Sequence, residues 1–370
     1  MKIFFFLLAA ILACGNPARL VTTKAQSQSI ESLKVLDEGE LFTMEYKADY
    51  KLQEFIDADL TSRSEVSAAA ARLLLDPSKA QKQPGGPVNP ACSAFQAVTP
   101  EGDVIYGRNF DYRFKDGANI MVRTSPKKAY KSLSMVSMNF VGLDANNLTD
   151  GKTDLSLLVA APLMQMDGMN SKGLAISVLV VVADDCAKQY EEGKHSIMTS
   201  VMMRMLLDRA ATVDEAIGML GDYNFFADGL QQDRKKGNFS NYHFFLADAS
   251  GKSVILEYIK RDGPGTDSPW VLNVVDERQV TNHFRSEGWR HLGRQDERFN
   301  KMQSTLEEKG GVLTEEEAMK LLSDVHQEAH EGHEGKTQWS VVYNLTKKRA
   351  TVCMGHNYGK TYSFSLKKKL

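Results

Sequence analysis

The residues best placed to do chemistry gather around one thiol. Cys92 opens the run Cys92-Ser93-Ala94-Phe95-Gln96-Ala97, and the chain returns through Gly107-Arg108-Asn109-Phe110-Asp111. Glu101-Gly102-Asp103 reads as a turn, so the two runs make a hairpin that folds Arg108 and Asp111 back towards Cys92. A thiol with a guanidinium and a carboxylate beside it is equipped to attack a carbonyl carbon. Each part also has a plainer reading, as a buried structural cysteine and a surface ion pair. Upstream, Gln81 to Pro90 carries three prolines and two glycines, a composition that favours an exposed, extended and cleavable chain leading into Ala91-Cys92.

The elements that must hold these residues follow from patterning. From about Gln26 to Leu75 the sequence has helical character, ending at Asp76-Pro77. After Cys92, short β-branched and apolar runs predict strands over Ser132 to Val141, Leu155 to Met166 and Leu174 to Val182, the last two joined by an Asn170-Ser171-Lys172-Gly173 turn. His195 to Ala211 and Val213 to Leu220 read as an amphipathic helical pair whose methionine-rich stripe is core packing. Hairpin strands around Asp248-Ala249-Ser250-Gly251 precede strands at Trp270 to Val275 and Val280 to His283. A helical region from about Gly288 to Gln327 and final strands at Gln338 to Leu345, Ala350 to Met354 and Thr361 to Leu366 complete the chain. Blocks of strands separated by blocks of helices argue an α+β fold.

The spacing of Cys92 and Gly107-Arg108-Asn109-Phe110-Asp111 resembles the choloylglycine hydrolase superfamily, with acid ceramidase and its relatives, of N-terminal-nucleophile cysteine hydrolases acting on linear amides. Asp167-Gly168-Met169-Asn170-Ser171-Lys172-Gly173-Leu174 is similar to the turn of its bile salt hydrolases, and Thr281-Asn282 to its later T-N pair. The resemblance implies a four-layer αββα sandwich and a thiol whose own α-amine serves as base, an amine freed when Cys92 attacks the Ala91 carbonyl. Asp111 would hold that amine, Arg108 would favour negative charge on sulfur and orient Asp111, and Asn170 and Asn282 would meet the oxyanion. A second arginine is expected, Arg298 in Asp296-Glu297-Arg298, with Arg294 as its competitor. The long segment before Cys92 is similar to the α chain of acid ceramidase, which implies a helical propeptide over residues 14–91 that stays attached to a catalytic chain over 92–370. It favours N-acyl amide substrates such as acylethanolamines, ceramides or acyl amino acids, whereas the Asp167–Leu174 turn favours bile salts or penicillin V. Acyl transfer to an amine and a non-catalytic amphiphile-binding lipoprotein are the other readings. The acyl pocket is expected near Leu163, Met164, Met166 and Met169, which also suit a core.

Bulk properties exclude several classes. A net charge of −2 with 25% charged residues points away from nucleic acid and towards small-molecule partners. Lys2 before the apolar run Ile3 to Ala13 reads as an export signal over residues 1–13, too short to span a bilayer. Ile11-Leu12-Ala13-Cys14 resembles the lipobox of bacterial lipoproteins, so the protein is expected in the periplasm or anchored to a membrane through lipidated Cys14. Cys14, Cys92, Cys186 and Cys353 are too few for a disulfide scaffold, and Cys353 reads as a buried strand residue. His326, His330 and His333 lack the H-E-x-x-H pattern and read as a charged loop, so no metal or cofactor is expected.

Overall fold

The computed structural model describes residues 23–37, 39–74, 91–183, 185–227, 231–233, 238–294, 297–330 and 335–370. The expected export signal, Cys14 and the linker from Gln81 to Pro90 lie outside the described residues.

The chain is α+β, built on two major sheets. The larger has ten strands, running Lys34–Asp37, Leu41–Tyr46, Asn119–Thr124, Ser132–Ser137, Gln165–Asn170, Ala175–Ala183, Asn238–Ala247, Ser253–Lys260, Trp270–Asp276, with Gln231–Asp233 paired to Asn238–Ala247. The smaller has six, in the order Gln279–Val280, Ser93–Val98, Val104–Tyr112, Lys336–Asn344, Arg349–Met354, Thr361–Ser365. Three apolar layers hold them. One, containing Leu133, Met169, Phe245 and Trp339, fills the space between the sheets. A second packs helices Thr199–Arg209 and Val213–Leu220 on the outer face of the large sheet. The third packs Glu297–Glu308 and Glu315–Asp324 on the outer face of the small one.

The expected hairpin forms, with Ala94 opposite Arg108 and Ser93 opposite Asn109. Gly102 turns it at φ +86°, a left-handed backbone that glycine adopts without strain. Alternation then sorts its side chains. Cys92, Ala94, Tyr106 and Phe110 join the core between the sheets, while Phe95, Ala97 and Ile105 meet the outer helices. Arg108, opposite Ala94 and two residues from Tyr106 and Phe110, belongs to the inner row with the thiol.

Several elements differ from the sequence reading. The segment before Cys92 is only partly helical, because Lys34–Asp37 and Leu41–Tyr46 are strands and the second pairs in parallel with Asn119–Thr124. Leu41, Phe42 and Met44 are fully buried there. Burial worth about 1.5–3 kcal/mol for each such side chain outweighs propensity differences below about 1 kcal/mol. Leu155–Leu163 is a 3-10 helix containing Pro162, and the strand begins only at Gln165. His195–Met198 is a strand leading into its helix, and Met138–Val141 is a 3-10 turn. Cys186 and Cys353 are both buried.

Candidate active site

Cys92 is held between two arginine–aspartate pairs. On the sulfur side, Arg108 Nη2 donates to Sγ at 3.3 Å and to the Val178 carbonyl at 2.7 Å. Its Nε lies 3.8 Å from Asp167 Oδ2, both side chains being fully buried. Asp167 in turn accepts from Trp339 Nε1 at 2.9 Å and Tyr343 Oη at 2.6 Å. Burial pushes the Asp167 carboxyl up to about 6, against the pull of Arg108 and these donors.

On the backbone side, Arg298 from the helix Glu297–Glu308 gathers three acceptors. Its Nη1 donates to the Cys92 carbonyl and to Asp111 Oδ2, each at 3.3 Å, and its Nη2 donates to Asn282 Oδ1 at 3.2 Å. Thr337 Oγ1 donates to the other Asp111 oxygen at 2.6 Å. Burial pushes Asp111 up to about 6, opposed by Arg298 and the Thr337 hydroxyl. Asn282 Nδ2 donates to the Val180 carbonyl at 2.6 Å, which docks it on the large sheet. Asp111 is thus held by Arg298 and not, as the sequence reading had it, oriented by Arg108.

The structure gives Asn170 a different duty from the expected one. Its Oδ1 accepts from the backbone N–H of Lys172, Gly173 and Leu174 at 3.0 to 3.1 Å, and its Nδ2 donates to the carbonyls of Leu207 and Ala210. Its backbone N–H goes to the Leu174 carbonyl. With its donors and acceptor engaged, Asn170 closes the turn and pins the end of helix Thr199–Arg209, and none goes to an oxyanion. Arg298 brings its guanidinium to the cluster, and the backbone of Arg294 pairs with that of Asn282 in a two-residue strand.

Three contributors escaped the sequence. Thr337 is a lone threonine whose role depends on the pairing of Lys336–Asn344 with the hairpin, where Thr337 faces Asp111. His243 Nε2 donates to the Thr281 carbonyl at 2.7 Å, and its Nδ1 lies 3.2 Å from Glu257, so a fully buried pair steadies the strand carrying Asn282. Burial raises the Glu257 pKa, but the bonds from His243 and Ser286 outweigh it and hold the group below its ordinary value.

A cavity of about 150 Å³ opens at the thiol. Cys92 and Asp111 line it, and Phe110, Phe140, Leu163, Met164, Met166 and Val180 supply apolar wall. Val66, from the helix Arg63–Leu73 before Cys92, also lines it. Met169, expected in this wall, is instead fully buried between the sheets.

These two sheets and their flanking helices are the architecture of N-terminal-nucleophile hydrolases. The family model of acyl-coenzyme A:6-aminopenicillanic acid acyl-transferases matches residues 156–358, more than half of the chain, and the chain belongs to this family of N-terminal-nucleophile hydrolases, which groups with the choloylglycine hydrolases. The match takes in Asn282, Arg298 and Thr337 and begins beyond Cys92. No curated protein matches the chain. Among solved structures, a variant of the conjugated bile acid hydrolase of Clostridium perfringens aligns with a TM-score of 0.50 at 16% identity, covering 75% of this chain and 93% of that one, a likeness of fold. Penicillin V acylase of Agrobacterium tumefaciens gives 0.48 at 18% identity over 75% and 87%. The Caenorhabditis elegans ortholog of N-acylethanolamine-hydrolyzing acid amidase gives 0.38 at 14% over 69% and 93%.

Proposed function

We propose that the protein hydrolyses linear amides that carry an apolar acyl group, after freeing the amine of Cys92 by cutting its own Ala91–Cys92 bond. The observation that carries this reading is the placement of Cys92 in the wall of a largely apolar cavity, with Arg108 on its sulfur and Arg298 on its carbonyl. In the self-cut, the thiol attacks the Ala91 carbonyl carbon and displaces the Cys92 nitrogen, giving a thioester. Water hydrolyses the thioester to an Ala91 carboxylate and returns the thiol. The new α-amine, with an ordinary pKa of about 7.7–8.0, then carries protons between the thiol and the departing amine of a substrate. Arg298 keeps the Asp111 carboxylate within reach of that amine. Asn282 Nδ2 has one hydrogen on Val180 and a second for the developing oxyanion.

The apolar wall suits the acyl half of an N-acyl amide such as an acylethanolamine, a ceramide or an acyl amino acid. Bile salts and penicillin V are the other amides in view, since relatives by fold are named for them. Val66 in the cavity wall favours an N-terminal piece that remains attached after the cut. The family description favours a second reading, transfer of the acyl group to an amine in place of water. We also propose export, with lipidation of Cys14.

Mass spectrometry is expected to find a fragment beginning at Cys92 that is absent from Cys92→Ala. Incubation with an acylethanolamine, a ceramide, a bile salt and penicillin V is expected to release the amine of an N-acyl substrate. A chain that stays intact and releases no amine from any of the four is an amphiphile-binding protein instead, and a new amide formed in the presence of added amine marks transfer. Palmitate labelling lost in Cys14→Ala tests the anchor, and equal labelling of both proteins ends that part.

A further inference from the structure

The histidine-rich stretch that follows helix Glu315–Asp324 does not look like a metal motif in sequence, yet the fold brings it a partner from elsewhere. His326 and Glu328 meet His356, which lies in the turn after strand Arg349–Met354. The ligand atoms of the three side chains all lie within 4.8 Å of one another. His326 Nε2 is 3.2 Å and His356 Nδ1 is 3.6 Å from the same carboxylate oxygen, Glu328 Oε1. The two imidazoles stand edge to face, 4.6 Å apart at 82°.

Two features point to a cation. First, His326 Nδ1 lies 2.5 Å from the Ser323 carbonyl, which can only accept, so Nδ1 carries a proton and Nε2 is the atom turned towards Glu328, as in a metal-ligating histidine held by its other nitrogen. Second, ligands about 2.0–2.1 Å from a tetrahedral zinc are separated from one another by about 3.3 Å. Two of the three edges of the triangle already have nearly that length.

We propose that His326, Glu328 and His356 bind one divalent transition-metal ion of the zinc type, with water in the fourth position. The donor set of two imidazoles and one carboxylate fits Zn²⁺, Co²⁺ or Ni²⁺ and not the oxygen-seeking Ca²⁺ or Mg²⁺. The site sits behind the thiol cluster and is wired to it. Between His326 and Glu328, in the loop that follows the helix, the Gln327 N–H donates to Thr337 Oγ1 at 2.9 Å, and the Thr337 N–H returns to the Gln327 carbonyl at 2.9 Å. The same Thr337 hydroxyl donates to Asp111. An ion that fixes residues 326 and 328 therefore fixes the hydroxyl that holds Asp111. Metal binding itself does not depend on the proposed amide hydrolysis, so either can fail without the other.

The test is a titration of the metal-free full chain with Co²⁺, followed by visible absorption and calorimetry. Expected are one ion per chain, the d–d bands of a tetrahedral nitrogen and oxygen site, and affinity at least about 100-fold weaker in His356→Gln and in His326→Gln. Binding is also expected to raise the melting temperature of the wild-type chain and not that of the variants. The variants' circular dichroism and metal-free melting temperatures check that they fold. If either variant is misfolded, Glu328→Gln, at a largely exposed position, takes its place. Absence of saturable binding, equal affinity in the folded variants, or the near-ultraviolet charge-transfer band of a Co²⁺ thiolate at Cys92 overturns the proposal.

Discussion

The two arginine–aspartate pairs that flank Cys92 are made of the same groups and do different work. Arg108 and Asp167 lie wholly between the sheets, and Asp167 is shared with Trp339 and Tyr343, so this pair is tied into the core. Arg298 and Asp111 sit where the small sheet meets its outer helix, and their bonds reach the Cys92 backbone, Asn282 and Thr337. Residue type alone does not separate the two roles. What differs is what each guanidinium touches besides its carboxylate: the Cys92 sulfur and the Val178 carbonyl on one side, and on the other the Cys92 backbone carbonyl and Asn282.

This comparison yields predictions that can break it. The largest effect belongs to neither pair: Cys92→Ala is expected to abolish the self-cut and to lower amide release at least about 10⁴-fold, measured by mass spectrometry and product assay. Next, Arg298→Lys keeps the charge but cannot fork to three acceptors. We expect kcat/KM to fall about 100- to 1000-fold with little change in urea unfolding. Asp167→Ala should do the reverse in emphasis, removing about 3 kcal/mol of stability by leaving Arg108 buried without its carboxylate. If Arg298→Lys unfolds the protein while Asp167→Ala costs only rate, the division of labour drawn above is wrong.

The smallest effect is a pH dependence. Asp111 and Asp167 titrate at about 6 in the folded, uncut chain, above the roughly 4 of a free carboxyl. Such groups hold their protons more tightly folded than unfolded. Their contribution is therefore fully present below about pH 4 and is lost as pH rises through about 6. In uncut Cys92→Ala protein, urea midpoints compared with those of the added Asp167→Asn change should show a shallower fall over this window once the carboxyl is gone. Parallel curves would remove burial as the cause.

The parts of the site that were legible in sequence are those fixed locally. Hairpin geometry needs only the turn at Gly102 and alternation, and it is enough to place Cys92, Arg108 and Asp111. The Asn170 turn was legible as a turn for the same reason, but its side chain's partners, Leu207 and Ala210, come from a distant helix. Thr337 and His243 carry no local signal, because each acts only through pairing across a sheet. Leu157 to Leu163 is buried throughout, so it shows no period that separates a strand from a helix. Leu41–Tyr46 hides for another reason, since its parallel partner lies far along the chain, beyond Cys92.

That last strand has a consequence for the life of the protein after a cut. Leu41–Tyr46 is an interior member of the large sheet, with Lys34–Asp37 on one edge and Asn119–Thr124 on the other. A chain severed between Ala91 and Cys92 keeps its shape but changes the molecularity of its unfolding, since one folded body now dissolves into two polypeptides. Return becomes second order and depends on concentration, and the piece that must re-enter does so as a paired unit, Lys34–Asp37 with Leu41–Tyr46, that adds back along Asn119–Thr124. The severed protein should therefore display hysteresis: cycles of denaturant that the uncut form survives would leave it unassembled, making the cut irreversible in a mechanical as well as a chemical sense.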